Sequence, residues 1–320
     1  MTWETGTASN YLDLAAKIRD FLVSDTTLVG ASENWELVMG PASGTPLVTD
    51  EFLFKGPGLT GTDEIFVGLK FSVSVPGDYY NLGFTGTKGN FPAEPTLDLQ
   101  PGRGPYSWML CWNQPMTYWI HATGRRFVVT AKVSTGYTGL YAGLILPYSP
   151  PSSYLYPLFI GATSGSATER WGSSSIYNRG FSDPGNDGCS MLFPDGNWYF
   201  FENYGFNDVD RSYNKRAMWP NLPTAIYPFN SRGLTGSNEN LNEVTKFIGK
   251  TFDGSYQLLD LRPTSENPLT GFLGIMDGVF WVTHIENSAE NIITIDSQDY
   301  IVFQNMLRSG IRDYWALRLD

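Results

Sequence analysis

Residues 127–146 read FVVTAKVSTGYTGLYAGLIL, and this stretch decides the fold class. From Phe127 to Val133, apolar residues at odd positions alternate with Val128, Thr130 and Lys132 at even positions. Such alternation is typical of a β-strand, in which successive side chains point to opposite faces. A second apolar run, from Tyr141 to Leu146, follows the connection STGYTG. The pattern therefore predicts two strands that pair through this connection.

Short apolar runs separated by turn residues continue on both sides of this hairpin. Upstream, residues 35–39, 51–55 and 65–75 are predicted strands, interrupted by GPASGTP and GPGLTGTD. Downstream, residues 279–284, 292–295, 300–304 and 314–319 are predicted strands, with a hairpin turn at residues 296–299. The sequence thus predicts a mainly β protein with a β-sandwich-like core and long ordered loops.

One amphipathic helix is predicted near the start of the chain. Apolar residues recur at helical spacing from Tyr11 to Leu22, while charged residues occupy the other face. Ser9 or Asn10 can cap the first amides, Asp13 adds negative charge in the first turn, and Gly30 is expected beyond the helix end.

The composition is rich in aromatic residues and poor in charge. Aromatic residues make up 15% of the 320 residues and charged residues 17%, against a usual charged share of about 25%. A large aromatic β core explains this balance, and so does an aromatic surface that another chain covers. Both readings remain open at this point.

The domain organisation is predicted from a proline-rich boundary. PYSPPSSYLYP, at residues 147–157, is unsuited to a central strand and reads as an extended arm or boundary. Residues 1–160 together with residues 271–320 are predicted to form the β-rich core, and residues 161–270 a loop-rich aromatic elaboration that contacts neighbours. The contact residues predicted there are Trp171, Trp198, Tyr199, Tyr204 and Trp219, although ordinary loop packing explains them equally well.

Several functional classes find little support in the sequence. The net charge of -11 and the absence of a basic run argue against nucleic-acid binding. Neither a secretory signal within residues 1–10 nor a bilayer-spanning apolar stretch is visible, so folding in a cytoplasm without membrane association is expected. Cys111 and Cys189 lack metal-type spacing and are expected to be buried free thiols.

Catalytic and metal-binding patterns are sparse. The two histidines, His121 and His284, lie in apolar strand-like runs and are expected to be structural. A glycan hydrolase needs only two facing carboxylates, and the loop-rich region offers Glu169, Asp183, Asp187, Asp195, Glu202, Asp208 and Asp210. Calcium is a weaker alternative at two clusters of oxygen ligands: Asp183, Asn186 and Asp187, and Asn207, Asp208 and Asp210. Neither a cofactor, a metal site nor a catalytic residue is predicted.

Four stretches carry a resemblance to a known family. They are WETGTASNYLDLAAKIRDFLV at 3–23, KGPGLTGTDEIFVGLK at 55–70, the run from NQPMTYWIHATG to YPLFIG at 113–161, and the ending from DGVFWVTHIEN to DYWALRL at 277–319. Together they resemble the virion structural proteins of tailed bacteriophages. The resemblance implies a structural role, with no catalytic residues to carry over.

The resemblance and the composition together give a functional expectation. The chain is expected to be a non-enzymatic subunit of a tailed-phage virion, assembled in the bacterial host cytoplasm into a symmetric oligomer with copies of itself and other virion proteins. A tail or baseplate position is expected first, and a neck or collar ring is the next alternative. A tail-tip module that binds host surface glycan on exposed rings and a glycan hydrolase are rivals from other functional classes.

Overall fold

A computed structural model describes residues 2–59, 65–90, 92, 94–150, 153, 157–171, 188–201, 224–227, 251, 254–265, 271–305 and 314–319. It contains two consecutive helices, α1 (Tyr11–Ser24) and α2 (Thr26–Ala31), and a short 3₁₀ turn at Leu97–Leu99. The strands, numbered in chain order, are β1 (Thr2–Ala8), β2 (Glu36–Met39), β3 (Phe52–Gly56), β4 (Ile65–Ser74), β5 (Tyr79–Thr87), β6 (Ser107–Met109), β7 (Met116–Thr123), β8 (Arg126–Val133), β9 (Gly136–Leu144), β10 (Leu146–Pro147), β11 (Leu158–Gly161), β12 (Cys189–Leu192), β13 (Trp198–Phe201), β14 (Thr224–Tyr227), β15 (Leu259–Asp260), β16 (Arg262–Ser265), β17 (Gly271–Phe272), β18 (Gly274–Ile275), β19 (Val279–Trp281), β20 (Ile292–Ile295), β21 (Gln298–Gln304) and β22 (Tyr314–Arg318).

Three large antiparallel sheets organise these strands. The central sheet has the order β1-β7-β8-β9-β11-β12-β13. The N-terminal sheet has the order β2-β3-β4-β5-β6, and the C-terminal sheet the order β15-β19-β22-β21-β20. Two small sheets, β10-β18 and β14-β16-β17, complete the described strands. The chain is therefore mainly β, as predicted.

The central sheet is buried on both faces. One face of the central sheet packs against α1 and the N-terminal sheet and forms the first core. This face carries the even-numbered side chains of β7, such as Ile120, and the odd-numbered side chains of β8, such as Val129. The opposite face, which carries Trp119, Val128 and Tyr141, joins a second core with the C-terminal sheet. The sandwich-like core predicted from the sequence is thus confirmed, and it has three layers of sheet.

The hairpin predicted from residues 127–146 is confirmed, with a tighter connection than expected. Strands β8 and β9 pair in register from Arg126 opposite Gly143 to Val133 opposite Gly136. Two residues therefore close the turn, and the first of them, Ser134, adopts a positive φ of 57°. Most of the expected connection STGYTG belongs to β9, because Tyr137 and Thr138 are paired in the ladder and buried.

The predicted helix is confirmed, and a second short helix that was not predicted follows it. The side chain of Asn10 caps α1 by accepting hydrogen bonds from the amides of Leu12 and Asp13, at 2.9 and 3.0 Å. The helix stops at Ser24, because Asp25 leaves helical geometry and caps α2. Gly30 therefore lies beyond the end of α1, as predicted, and inside α2.

The C-terminal hairpin also has a tighter turn than predicted. Ile295 pairs with Gln298, so Asp296 and Ser297 alone form the connection. Both adopt positive φ values, 51° and 65°, which suits the right-handed twist of the flanking strands. The strand predicted over residues 279–284 ends earlier, at Trp281.

Part of the predicted loop-rich region belongs to the central sheet. Strand β12 pairs with β11, and β13 pairs with β12, so these segments extend the layer built by β7, β8 and β9. Residues 172–187 and 202–223 of the same region lie outside the described residues. In the described part of the chain, neither helix has the length and apolar character needed to cross a membrane.

Candidate contact edge and buried charge cluster

Strand β1 forms one edge of the central sheet. It pairs with β7 through seven consecutive residue pairs, from Thr2 opposite Ala122 to Ala8 opposite Met116. Among the described strands β7 is its only neighbour, so within the described part of the chain no strand pairs with the other side of β1. An edge of this kind is a template for another strand.

Exposure alternates along β1. Trp3, Thr5 and Thr7 are exposed, and 41% of the Trp3 surface is accessible. Glu4 and Gly6 are half-buried on the other face, where the hydroxyl of Tyr118 donates a hydrogen bond to the Glu4 carboxylate. The edge is therefore regular, and its charged side chain is already bound by its own chain.

An ordered loop presents two more apolar side chains. The guanidinium of Arg19 is buried and donates hydrogen bonds to the carbonyl oxygens of Pro41 and Gly44, at 3.2 and 2.9 Å. At the far side of the same loop, Leu47 is 67% exposed and Val48 is 42% exposed. A buried arginine thus supports a loop that carries apolar groups to the surface.

A cluster of charged residues is buried between the central and C-terminal sheets. Asp277 lies in the turn before β19, and its Oδ2 accepts hydrogen bonds from Arg125 Nε at 3.0 Å and Arg126 Nε at 3.3 Å. Arg126 is fully buried and also contacts His121 Nδ1. The Tyr141 hydroxyl accepts a hydrogen bond from the Asp277 amide at 3.2 Å. The C-terminal layer is thereby joined to the tip of the β7–β8 hairpin.

The hairpin tip is held from the N-terminal layer as well. Trp35 Nε1 donates to the carbonyl of Thr123 at 2.9 Å, and the Gly58 amide donates to the carbonyl of Gly124 at 2.9 Å. On the other side, Gly278 has a φ of +72° and a Cβ there would lie 2.2 Å from Arg126 Nη2, so a larger residue would strain the backbone and displace the guanidinium. This short tip therefore connects all three layers.

Burial and charge shift the pKa values in this cluster. Burial raises the pKa of Asp277, but the guanidinium groups of Arg126 and Arg125 outweigh it and lower that pKa below its ordinary value. Burial, followed by the charge of Arg126, lowers the pKa of His121 well below its ordinary value. At neutral pH the cluster therefore contains an ionised Asp277 and a neutral His121.

A second, more exposed contact joins the same two layers. The Glu290 carboxylate accepts hydrogen bonds from the Lys132 ammonium and from the Tyr137 hydroxyl. Lys132 and Glu290 are 36% and 39% exposed, so water screens this ion pair and its contribution to stability is small.

The structure places two of the predicted contact residues inside the chain. Trp198 is 2% exposed, packs against Gly86 and Gly104, and donates from Nε1 to the Gly102 carbonyl at 2.9 Å. Tyr199 is 6% exposed and joins the core between the central and C-terminal sheets. The contact role predicted for these two rings is corrected to a core role, because β13 is a strand of the central sheet.

The other predicted contact residues have different outcomes. Trp171 is half-buried. Its ring packs against the core between the central and N-terminal sheets and lies near Gly136. Tyr204 and Trp219 lie outside the described residues. The described part of the chain thus does not bring the predicted contact residues together.

The histidines and cysteines have structural positions. His121 is buried in β7 against Arg126, and the His284 ring stacks on Tyr314 at 5.8 Å between ring centroids. Both cysteines are buried thiols outside any disulfide, as predicted. Burial raises the pKa of Cys111 above its ordinary value, so its thiol stays protonated at neutral pH.

Two candidates of the hydrolase hypothesis, Asp195 and Glu169, lie among the described residues. Asp195 accepts hydrogen bonds from the Tyr199 hydroxyl at 2.6 Å and from the Asn197 amide at 2.9 Å, in the turn between β12 and β13. The backbone carbonyl of Glu169 accepts from the side-chain amide of Asn81 at 2.8 Å.

The remaining candidates of the hydrolase and calcium hypotheses are outside the described residues: Asp183, Asn186, Asp187, Glu202, Asn207, Asp208 and Asp210. Within the ranges that the structure describes, no group of three or more potential metal ligands is present.

The chain was also compared with known proteins. No family model matches it, and no curated protein matches it.

Proposed function

We propose that this chain is a structural subunit of a tailed-bacteriophage virion, placed in the tail or baseplate, where it packs against copies of itself and other virion proteins. The observation that carries the proposal is the open edge at β1, a seven-residue regular strand with an exposed tryptophan. Structural subunits need such surfaces because strand edges and apolar patches are covered when subunits assemble.

Two further features support an assembly role. Arg19 binds the carbonyl oxygens of Pro41 and Gly44 in the loop that also carries exposed Leu47 and Val48, so part of this loop is already ordered and the entropy cost of a contact made there is reduced. The resemblance of four long stretches to tailed-phage virion proteins agrees with this use of the surface.

The glycan-binding alternative draws less support from the described residues. It requires aromatic rings that stay exposed to solvent, but Trp198 and Tyr199 are covered by the chain's own core. Trp3 is exposed, but it stands on an edge strand whose geometry suits a protein partner.

The proposal is tested on purified particles of a phage that encodes this chain. An antibody raised against the purified protein is applied to the particles and located with gold by electron microscopy, beside an antibody against the major capsid protein as control. Label on the tail or baseplate supports the proposal, while label at the neck selects the collar alternative. Unlabelled particles that also contain no peptide of this chain by mass spectrometry would refute it.

A further inference from the structure

We propose that β1 pairs with the β1 strand of a second copy of this chain, in an antiparallel arrangement about a two-fold axis at Thr5. The inference rests on the proposed function, since it names a partner for the open edge. It joins two central sheets into one continuous sheet across the dimer.

The edge lacks most of the features that normally prevent such pairing. Proteins protect edge strands with charged side chains, above all lysine, with proline or with a bulge, and the one charged side chain of β1, Glu4, is bound to Tyr118. Residues 2–8 read TWETGTA, with neither lysine nor proline, and the register with β7 is unbroken across all seven pairs. The strand is therefore suited to accept a partner along its full length.

A second β1 strand fits this edge because the residue order is self-complementary. With Thr5 opposite Thr5 of the second copy, Trp3 lies opposite Thr7 and Glu4 lies opposite Gly6. A two-fold interface repeats each of these pairs, so both tryptophans gain a threonine neighbour. Each Glu4 faces a glycine, and its carboxylate is already bound to Tyr118, so the arrangement contains no facing pair of like charges.

Disulfide trapping tests the register directly. Paired residues of antiparallel strands have Cα atoms about 4.5 to 5.5 Å apart, within the range that a disulfide spans. Thr5→Cys should form a covalent dimer under mild oxidation, because its thiol faces its own copy across the axis. Thr7→Cys alone should remain uncrosslinked and should crosslink to Trp3→Cys when the two variants are mixed. The natural thiols Cys111 and Cys189 are buried, so they do not compete for crosslinking.

Charge substitution provides a second test that does not disturb the monomer. Positions 3 and 7 are exposed, and they lie about 13 Å apart along the strand, too far for contact within one copy. The double variant Trp3→Glu/Thr7→Glu places like charges opposite each other twice in the dimer, whereas Trp3→Glu/Thr7→Lys places opposite charges there. The dissociation constant of the first should be about tenfold or more above that of the second.

Analytical ultracentrifugation over a concentration series measures both variants and the unmodified chain, each without an N-terminal tag. A chain that stays monomeric at all concentrations, or equal dissociation constants for the two charge variants, would overturn the inference. An oligomer without the Thr5→Cys crosslink would also overturn it, but it would leave the proposed structural function intact. Absence of the chain from particles would refute the proposed function whatever its solution state.

Discussion

The buried cluster around Asp277 predicts a large loss of stability from one isosteric change. Asp277→Asn keeps the shape and one acceptor oxygen but removes the negative charge that Arg125 and Arg126 share. At about 4 Å between charge centres and an effective dielectric constant of about 20, each attraction is worth roughly 4 kcal/mol before desolvation. Because desolvation of the guanidinium groups is no longer offset, we expect a net loss of about 3 to 5 kcal/mol in the free energy of unfolding.

The matched control is the exposed contact between the same two layers. Glu290→Gln also removes one carboxylate charge from an ion pair, but Lys132 and Glu290 are more than one third exposed. An exposed pair contributes about 0 to 1 kcal/mol, so this variant should differ little from the unmodified chain. Both variants remove one formal charge from the same interface, so the contrast measures the combined effect of burial and of the second guanidinium partner of Asp277.

Denaturant unfolding followed by tryptophan fluorescence measures both variants. Trp119, Trp281 and Trp315 lie in the core between the central and C-terminal sheets, so they report on separation of these layers. The reasoning fails if Asp277→Asn costs less than about 1 kcal/mol, or if it costs no more than Glu290→Gln.

Three further predictions follow from the described contacts. The folded chain keeps the pKa of His121 below its ordinary value of 6.5. The unfolded chain therefore binds more protons below that pH, and the free energy of unfolding falls as the pH falls. The pKa of Asp277 is lowered from 3.8, so protonation of Asp277 affects stability only at lower pH. In the His121→Asn variant the free energy of unfolding, measured by urea titration at each pH, should therefore change less with pH between about pH 7 and pH 5. An unchanged pH dependence would contradict the lowered pKa of His121. Trp198→Ala should cost about 3 to 5 kcal/mol in the same titration, since a buried ring is lost, whereas the half-buried Trp171→Ala should cost clearly less; equal losses would count against a core role. Asn10→Ala should cost about 1 kcal/mol because two capping hydrogen bonds are lost, and Asn10→Asp is the control that keeps the acceptor.

The parts of the fold that could be predicted are those with a local sequence pattern. The helical spacing at 11–22 identifies α1 correctly because one face of that helix is buried. The alternation at 127–133 identifies β8 correctly as a strand, but it does not reveal that both faces of β8 are buried. The second helix, α2, is not predicted by this spacing, because Asp25 ends the periodic pattern of α1 and caps a new helix. A capping residue decides a boundary there, and periodicity does not reveal it.

Long-range contacts could not be predicted in the same way. Asp277 meets Arg126 across 151 positions of the chain, and the residues around each of them do not identify the other as a partner. Strand β1 was also missed, because TWETGTA is polar and only its pairing with β7 makes it a strand. Trp198 was assigned to a contact surface because its neighbours in sequence are loop-like, although the sheet that buries it is built by distant residues.

The position of β22 in the middle of the C-terminal sheet has a consequence for synthesis of the chain. Strand β22 pairs with β19 on one side and with β21 on the other, and both of these strands are synthesised earlier. The C-terminal sheet therefore cannot be completed before the ribosome has added residue 318. Translation proceeds at about 5 to 20 residues per second, so on the order of ten seconds separates emergence of β13 from that of β22. During this interval the face of the central sheet that carries Trp119, Tyr141 and Phe159 lacks its cover. Nascent chains at this stage are the form that chaperones must protect from aggregation.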